Sequence, residues 1–276
     1  MTFETHSPKG TISKYIESIF YFKDLVPNHS IERVVPTGHI FMIFELDGFT
    51  RNTFDNDTLK PNHTFTNVWV SGMHKNYISI SAHKKSEMFV IQFKSFGAYP
   101  FFHFPIQELN EKIVSAELIF GNEILTLREE ILCKKTTKEK FDVAEQWLKS
   151  RFHQDKIPPI ELLKVLTKMQ TESTANYSKI VEDYSKTQKH LIHEFKKYIG
   201  LTPKIYRRIL RFNEILQQIH QTEKIKWSQV AYLFEYTDQS HFIKEFKLFS
   251  GFNPQKFIQQ GFHKEEPNFF PLDRKG

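Results

Sequence analysis

Cysteine is almost missing from this chain. Cys133 stands alone among 276 residues, so no internal disulfide can form, and neither a thiolate cage nor a CxxC redox pair is available. The sequence also lacks a glycine-rich phosphate loop and a nucleophile elbow, and it offers no catalytic constellation. His39, His63, His74, His83 and His103 are scattered singly, without a close pair or a carboxylate at ligand spacing. They are expected to be structural or surface histidines, so neither a metal site nor a cofactor is expected. No apolar run approaches the roughly 18 residues that span a bilayer. The polar start MTFETHSPKG has no apolar signal region. Together these absences lead to the expectation of a soluble, cytoplasmic protein with no membrane partner.

What is abundant is phenylalanine, 28 residues, and a modest positive charge, formally +6. The charge is not spread evenly. Residues 1–175 carry 21 Lys+Arg and 21 Asp+Glu, residues 176–260 carry 14 and 8, and residues 261–276 carry 3 and 3. The entire excess therefore lies in one late segment, which is the electrostatic footprint of a nucleic-acid partner. Without a motif, a solvated basic face would explain it as well.

At this length about two domains are expected. From about 11 to 104 the chain reads as strands: SIFYF at 18–22, IERVVP at 31–36, HIFMIFEL at 39–46, NVWVSG at 67–72, YISISA at 77–82 and MFVIQFK at 88–94. Several short strands without helical patterning between them suggest a sandwich or small barrel. After Pro105 the period turns helical, with Thr136 and Glu139 forming a capping box that opens a helix through Phe141, Ala144, Trp147 and Leu148. These helices cover the sheet or pair with a second subunit. Pro158 and Pro159 mark the break between halves. Helices then follow at about 177–183, 187–199, 203–220, 227–234, 238–249 and 254–260. The reading is thus an α+β chain: a β-rich sensing domain at 1–105, a helical cover or dimerisation segment at 106–156, an all-α domain at 157–260 and a mobile tail at 261–276.

The all-α part contains a duplication. FKKYIGLTPKIY at 195–206 aligns with FKLFSGFNPQKF at 246–257, matching Phe195 with Phe246, Gly200 with Gly251 and Pro203 with Pro254. Two copies are too few for a solenoid and suit a duplicated binding unit. Each has the pattern of a helix-turn-helix, in which a short helix and a turn precede a longer helix with polar early residues and an apolar far side. Thr187 caps the first long helix and Asp238 the second, while Leu191 with Phe195, and Phe242 with Phe246 and Phe249, form their inner stripes.

The outward residues are Gln188, Lys189, His190 and His193 in the first unit, and Gln239, Ser240, His241 and Lys244 in the second. Gln can bridge adenine and Lys can donate to guanine, so Gln188, Lys189, His193, Gln239, Ser240 and Lys244 are the candidates for base contacts. Thr187, His190, Lys196, Lys197, His241 and Lys247 are candidates for phosphate contacts. Between the units, Thr202 and Pro203 open a helix with the stripe Ile205, Ile209, Phe212, Leu216 and Ile219, read as a rigid connector that sets their separation. Its Arg207, Arg208 and Arg211 complete the backbone set. Taken singly, each of these is an ordinary exposed polar residue. Two matched sets at fixed spacing make the functional case.

Residues 158–260 resemble the DNA-binding domain of the AraC/XylS family of transcription regulators. The resemblance is carried by Ala231, the DQSHF run at 238–242, Phe246, Lys247, Gly251 and Pro254, with Leu191, Phe195, Lys196, Gly200 and Pro203 in the first unit. It implies two helix-turn-helix units joined by a long helix, bound to two successive major grooves of double-stranded DNA. The family's basic recognition position falls on His193 and Lys244, both in place of arginine, and its turn glycine on Ser185 and Glu235. VVPTGHIFMIFEL at 34–46 and IQFKSFGAYPFFHFP at 91–105 resemble the N-terminal domains attached to some members, which implies a cupin-like domain that senses a small molecule or forms a homodimer. The resemblance leaves RNA polymerase as a possible further partner. Glu45, Trp69 and His74 could line an effector cavity, or be satisfied interior residues. Two rivals stand beside this reading: a ligand-independent architectural DNA binder, and a metal-dependent cupin enzyme with an accessory DNA-binding domain.

Overall fold

Aromatic and β-branched runs need partners on both sides of a strand, and a computed structural model shows how they find them. It describes residues 1–172, 177–182, 184–222 and 224–274. Nine strands come first: β1 (Thr2–His6), β2 (Ile16–Leu25), β3 (Ile31–Val34), β4 (Ile40–Glu45), β5 (Arg51–Phe54), β6 (Pro61–Phe65), β7 (Val68–Ser71), β8 (Ile78–Ser81) and β9 (Ser86–Phe93). Next are α1 (Tyr99–Phe102), β10 (Ile113–Ser115), α2 (Glu117–Phe120), α3 (Glu123–Cys133) and α4 (Thr137–Arg151). The remaining helices are α5 (Ile160–Thr171), α6 (Tyr177–Val181), α7 (Gln188–Tyr198), α8 (Pro203–Ile219), α9 (Trp227–Leu233), α10 (Gln239–Ser250) and α11 (Pro254–Gln259), and β11 (Phe269–Pro271) ends the order.

The strands form two antiparallel sheets, one in the order β1-β2-β9-β4-β7-β10 and the other β11-β3-β8-β5-β6. Alternation along β4 divides the first sheet into two faces. Ile40, Met42 and Phe44 join Phe89 and Ile91 in the main core, where Phe141 of α4 packs 5.7 Å from the Phe89 ring. On the other face Ile43, Val90 and Trp69 form a second cluster, joined by Phe41, Met88 and Phe65 of β6. The expected capping box opens α4: Thr136 accepts from the Glu139 amide, and Glu139 accepts from the Thr136 amide at 3.0 Å.

Two expectations need correction. Residues 113–115, inside the stretch read as helical, form β10 and pair with β7. The described part of the segment read as a mobile tail is docked through residues 269–273, and residues 275 and 276 lie outside the described residues. Phe270 is fully buried against Phe257 and Phe262, β11 pairs with β3, and Asp273 accepts from the Ser30 hydroxyl and from the Ser30 and Ile31 amides. The burial of one phenylalanine ring, Phe270, with the strand pairing around it, outweighs the entropy of a short proline-flanked end. Among the described residues, no helix is long and apolar enough to cross a membrane.

Candidate nucleic-acid interface

Each long helix of the duplicated unit begins with the residue that the sequence nominates. Thr187 accepts from the His190 amide at the start of α7, and Asp238 accepts from the His241 amide at 2.8 Å at the start of α10. Such caps satisfy amides that the first turn leaves unpaired. The inner stripes are fully seated: Leu191 and Phe195 under α7, and Phe242, Phe246 and Phe249 under α10, are all at most 1% exposed. The opposite faces are open. Gln188, Lys189, His193 and Lys196 are exposed on α7, as are Gln239, Ser240, His241, Lys244 and Lys247 on α10, while Thr187 is exposed at its cap. These nine helix residues therefore have the access that groove contacts require.

Five other members of the expected backbone set have different surroundings. Arg208 donates through Nε to Glu245 Oε2 and Arg211 through Nη2 to Glu245 Oε1, both at 2.6 Å, and Tyr236 donates to the same carboxylate at 2.7 Å. Arg211 also lies 4.0 Å over the Tyr236 ring. Burial works to raise the Glu245 carboxyl, yet the guanidinium groups and Tyr236 outweigh it and hold it below the usual carboxylate range. The two arginines thus lock α8 to α10 rather than standing ready for phosphate. Lys197 is half-buried, its ammonium 5.2 Å from the Tyr99 ring and 4.9 Å from that of Tyr198. His190 is half-buried, with Nδ1 hydrogen-bonded to the Tyr184 hydroxyl at 2.7 Å. Arg207 is half-buried as well, and burial lowers its pKa.

Sequence reasoning missed Glu245 and Tyr236, although a signal existed. Glu194 precedes Phe195 as Glu245 precedes Phe246, and an acid at the same buried position in both copies marks an inward role. The turns differ too. Glu235 adopts φ 54°, the left-handed region favoured by glycine, whereas Ser185 has no positive φ. The first short helix is described to Val181, and Asp183, the expected end of that helix, lies outside the described residues.

The three effector candidates do not converge. Glu45, fully buried, accepts from Trp69 Nε1 at 2.9 Å and from Arg51 Nε at 2.7 Å, while Arg51 also reaches Asp47. They are satisfied interior residues. Burial raises the Glu45 carboxyl even though Arg51 and Trp69 pull the other way. His74 instead meets the Ser71 hydroxyl at 3.1 Å in a cleft of about 40 Å³, lined also by Val34, Gly38, His39, Phe41 and Ile78. Among the described residues no group of three His, Cys, Asp or Glu side chains could hold a metal ion.

Two family models match the chain: a helix-turn-helix domain over residues 180–260 and a domain of unknown function over residues 4–115. No curated protein matches. Solved structures similar to this chain include ToxT from Vibrio cholerae, 13% identical, covering 96% of this chain and all of that one with a TM-score of 0.46. Another is wild-type ToxT from the same organism bound to an unsaturated fatty acid, 16% identical over 88% of this chain and 95% of that one, TM-score 0.44. A regulator of Chromobacterium violaceum with an AraC-type DNA-binding domain is 20% identical over 38% of this chain and 93% of that one, TM-score 0.34.

Proposed function

We infer that this protein, whose C-terminal domain is an AraC-type helix-turn-helix domain, is a sequence-specific transcription regulator that lays α7 and α10 into two successive major grooves of DNA. The observation that carries this is the pairing of two side-chain-capped helices, each seated on phenylalanine and each presenting an exposed polar and basic start. Gln188, Lys189, His193, Gln239, Ser240 and Lys244 are the base-reading set. Thr187, Lys196, His241 and Lys247 are the residues that hold phosphates. Electrophoretic mobility shifts of the purified protein on a selected duplex should show binding that is sequence-selective and weakens steeply with salt. Binding with no preference among sequences would sink the reading in favour of an architectural DNA binder.

The N-terminal domain modulates this activity through a small molecule or through a homodimer. The support for a small-molecule route is the path of β3. Val34 lines the His74 cleft, and its neighbour Arg33 reaches across to the end of α10. The cleft is well below the several hundred Å³ of an ordinary ligand pocket, so an effector would have to open it, moving β3 as it does so. A ligand acts only by binding one arrangement better than another. Titration of candidate small molecules during DNA binding, together with sedimentation of the free protein, separates the ligand route from the dimer route. RNA polymerase recruitment is the remaining step of the proposal and is tested by transcription in vitro with and without the protein.

A further inference from the structure

The duplicated glycines do more than end their helices. Gly200 follows α7 with φ 93° and Gly251 follows α10 with φ 78°, the left-handed turn that closes a helix. Both are also pressed against the N-terminal domain. A Cβ on Gly200 would lie 2.6 Å from Asn110 Oδ1 and 3.1 Å from Ile106, and one on Gly251 would lie 2.8 Å from Tyr77 Cζ. At the first site Asn110 donates through Nδ2 to the Gly200 carbonyl. At the second, Arg33 is 6% exposed, stacked 4.1 Å from the Tyr77 ring and 4.6 Å from that of Phe252, and it donates through Nη1 to the Ser250 carbonyl at 3.5 Å. Arg33 thus meets the last carbonyl of α10, where unpaired acceptors and the negative end of the dipole favour a cation, and Asn110 meets the glycine turn that closes α7.

From this geometry we propose that Arg33 and Asn110 are positioning residues for DNA recognition: they hold the two recognition helices by matching ends, so that the N-terminal domain fixes the spacing at which both are offered to DNA. The connector helix α8 does not set that spacing alone. It is itself braced midway, where Gly38 lies against Tyr206 and Ile209 and Asn213 donates to the Pro36 carbonyl at 2.9 Å. Arg33 and Asn110 come from different parts of one packed body, Arg33 from the middle of β3 and Asn110 from the turn before β10. Two helices pinned at two separate points of one rigid body cannot shift relative to each other without breaking one pin. Leaving both helix starts unencumbered, this arrangement supports reading rather than blocking it.

The proposal rests on the DNA-binding function inferred above, and the test separates the two. The full-length protein is used to select its preferred duplex from a random library. Affinity is then measured by fluorescence anisotropy on that duplex and on versions with one base pair inserted or removed between the two contacted grooves. One base pair turns the second site by roughly 35°, so the wild type should lose about tenfold or more in affinity on each altered duplex. Arg33→Ala and Asn110→Ala should each shrink that loss to about threefold while leaving affinity for random-sequence DNA unchanged. Arg33→Lys, which keeps a cation at the helix end, should recover part of the discrimination. A purely structural role would lower all affinities together and leave their ratio intact, and that result overturns the proposal. So does a wild type that binds selectively but tolerates every spacing. If Arg33→Ala does not fold, Asn110→Ala decides alone, since an unchanged ratio there removes one of the two pins. A wild type that selects no sequence defeats the functional reading itself, and the positioning role with it.

Discussion

The two helix-turn-helix units share a plan and differ in what supports it. Both begin their long helix with an oxygen cap, seat it on an apolar stripe and close it with glycine. In the second unit Glu245 gathers Arg208, Arg211 and Tyr236, and an aromatic cluster continues from Trp227 and Phe242 through Phe246 and Phe257 to Phe270. In the first unit Glu194 is buried at the matching position, yet no guanidinium is seen to pair with it among the described residues. That helix leans on its neighbour domain instead, through Tyr198 against Tyr99 at 4.9 Å and Asn110 at Gly200. Both units therefore lean on the N-terminal domain, the second through Arg33 and β11, and the second adds a buried ion-pair network of its own. Pre-organisation favours base discrimination, so the second unit should be the more exacting reader.

The largest effect expected from this contrast is at the buried carboxylates. Glu245→Ala strands the Arg211 guanidinium and the Tyr236 phenol in a largely buried site, and releases the half-buried Arg208, and should cost about 3 kcal/mol. Glu194→Ala, with no such network to break, should cost about 1 kcal/mol. Chemical denaturation of both variants measures the difference, and equal losses would erase the distinction drawn between the units. Removal of the docked aromatic should come next. Phe270→Ala empties a fully buried site and should cost about 3 kcal/mol. Hydrogen exchange should show that loss in α10 and α11 while α7 stays protected. Matched loosening of both helices would mean that the tail supports the domain as a whole.

Much of this contrast was readable in advance, and the limits have physical causes. The six strands called from aromatic and β-branched runs are all present, because such runs bounded by turn residues favour the pleated, half-buried backbone of a strand. β1, β5 and β6 went unread because TFETH, RNTF and PNHTF are polar edge or near-edge strands with no apolar rhythm. In the C-terminal half the caps Thr187, Thr202 and Asp238 lie where the pattern put them, since a cap is a local device. Arg208 and Arg211 were assigned to phosphate because a sequence shows a positive charge but not its partner. Glu245 is 34 to 37 residues away. The docking of residues 269–273 on β3 was invisible for the same reason. Its partner strand lies more than two hundred residues earlier, and only the folded chain brings them together.

DNA binding offers a smaller test of the same contrast. Lys244→Ala should weaken specific binding by about 1–3 kcal/mol and relax discrimination at one base position. Lys189→Ala, in the less self-supported unit, should cost less and relax little. Lys196→Ala should weaken all sequences alike and lower the salt slope by about 1. Quantitative competition among single-base variants of the duplex distinguishes these outcomes. If Lys244→Ala and Lys196→Ala act identically, the division between base and phosphate contacts is wrong.

The smallest effect concerns the support that both units share. Burial lowers the His74 imidazole to about 4, against about 6.5 for an unfolded histidine. Between those values the unfolded chain binds a proton that the folded one refuses, so the stabilisation is complete above pH 6.5 and is lost as pH falls toward 4. His74 is only half-buried by surface area, which discounts the full shift to about 1–2 kcal/mol. His39, lowered by burial in the same cleft, adds in the same direction, so the informative quantity is the difference between wild type and His74→Asn. The two should differ most in their pH slope between 6.5 and 4, with the variant flatter, and parallel curves would remove His74 from the account. The cleft includes Gly38, which rests on Tyr206 and Ile209 of the connector helix between the two units. Acid should therefore loosen α7 and α10 together, in contrast to the one-sided effect of Phe270→Ala, because here the prop that gives way stands under both.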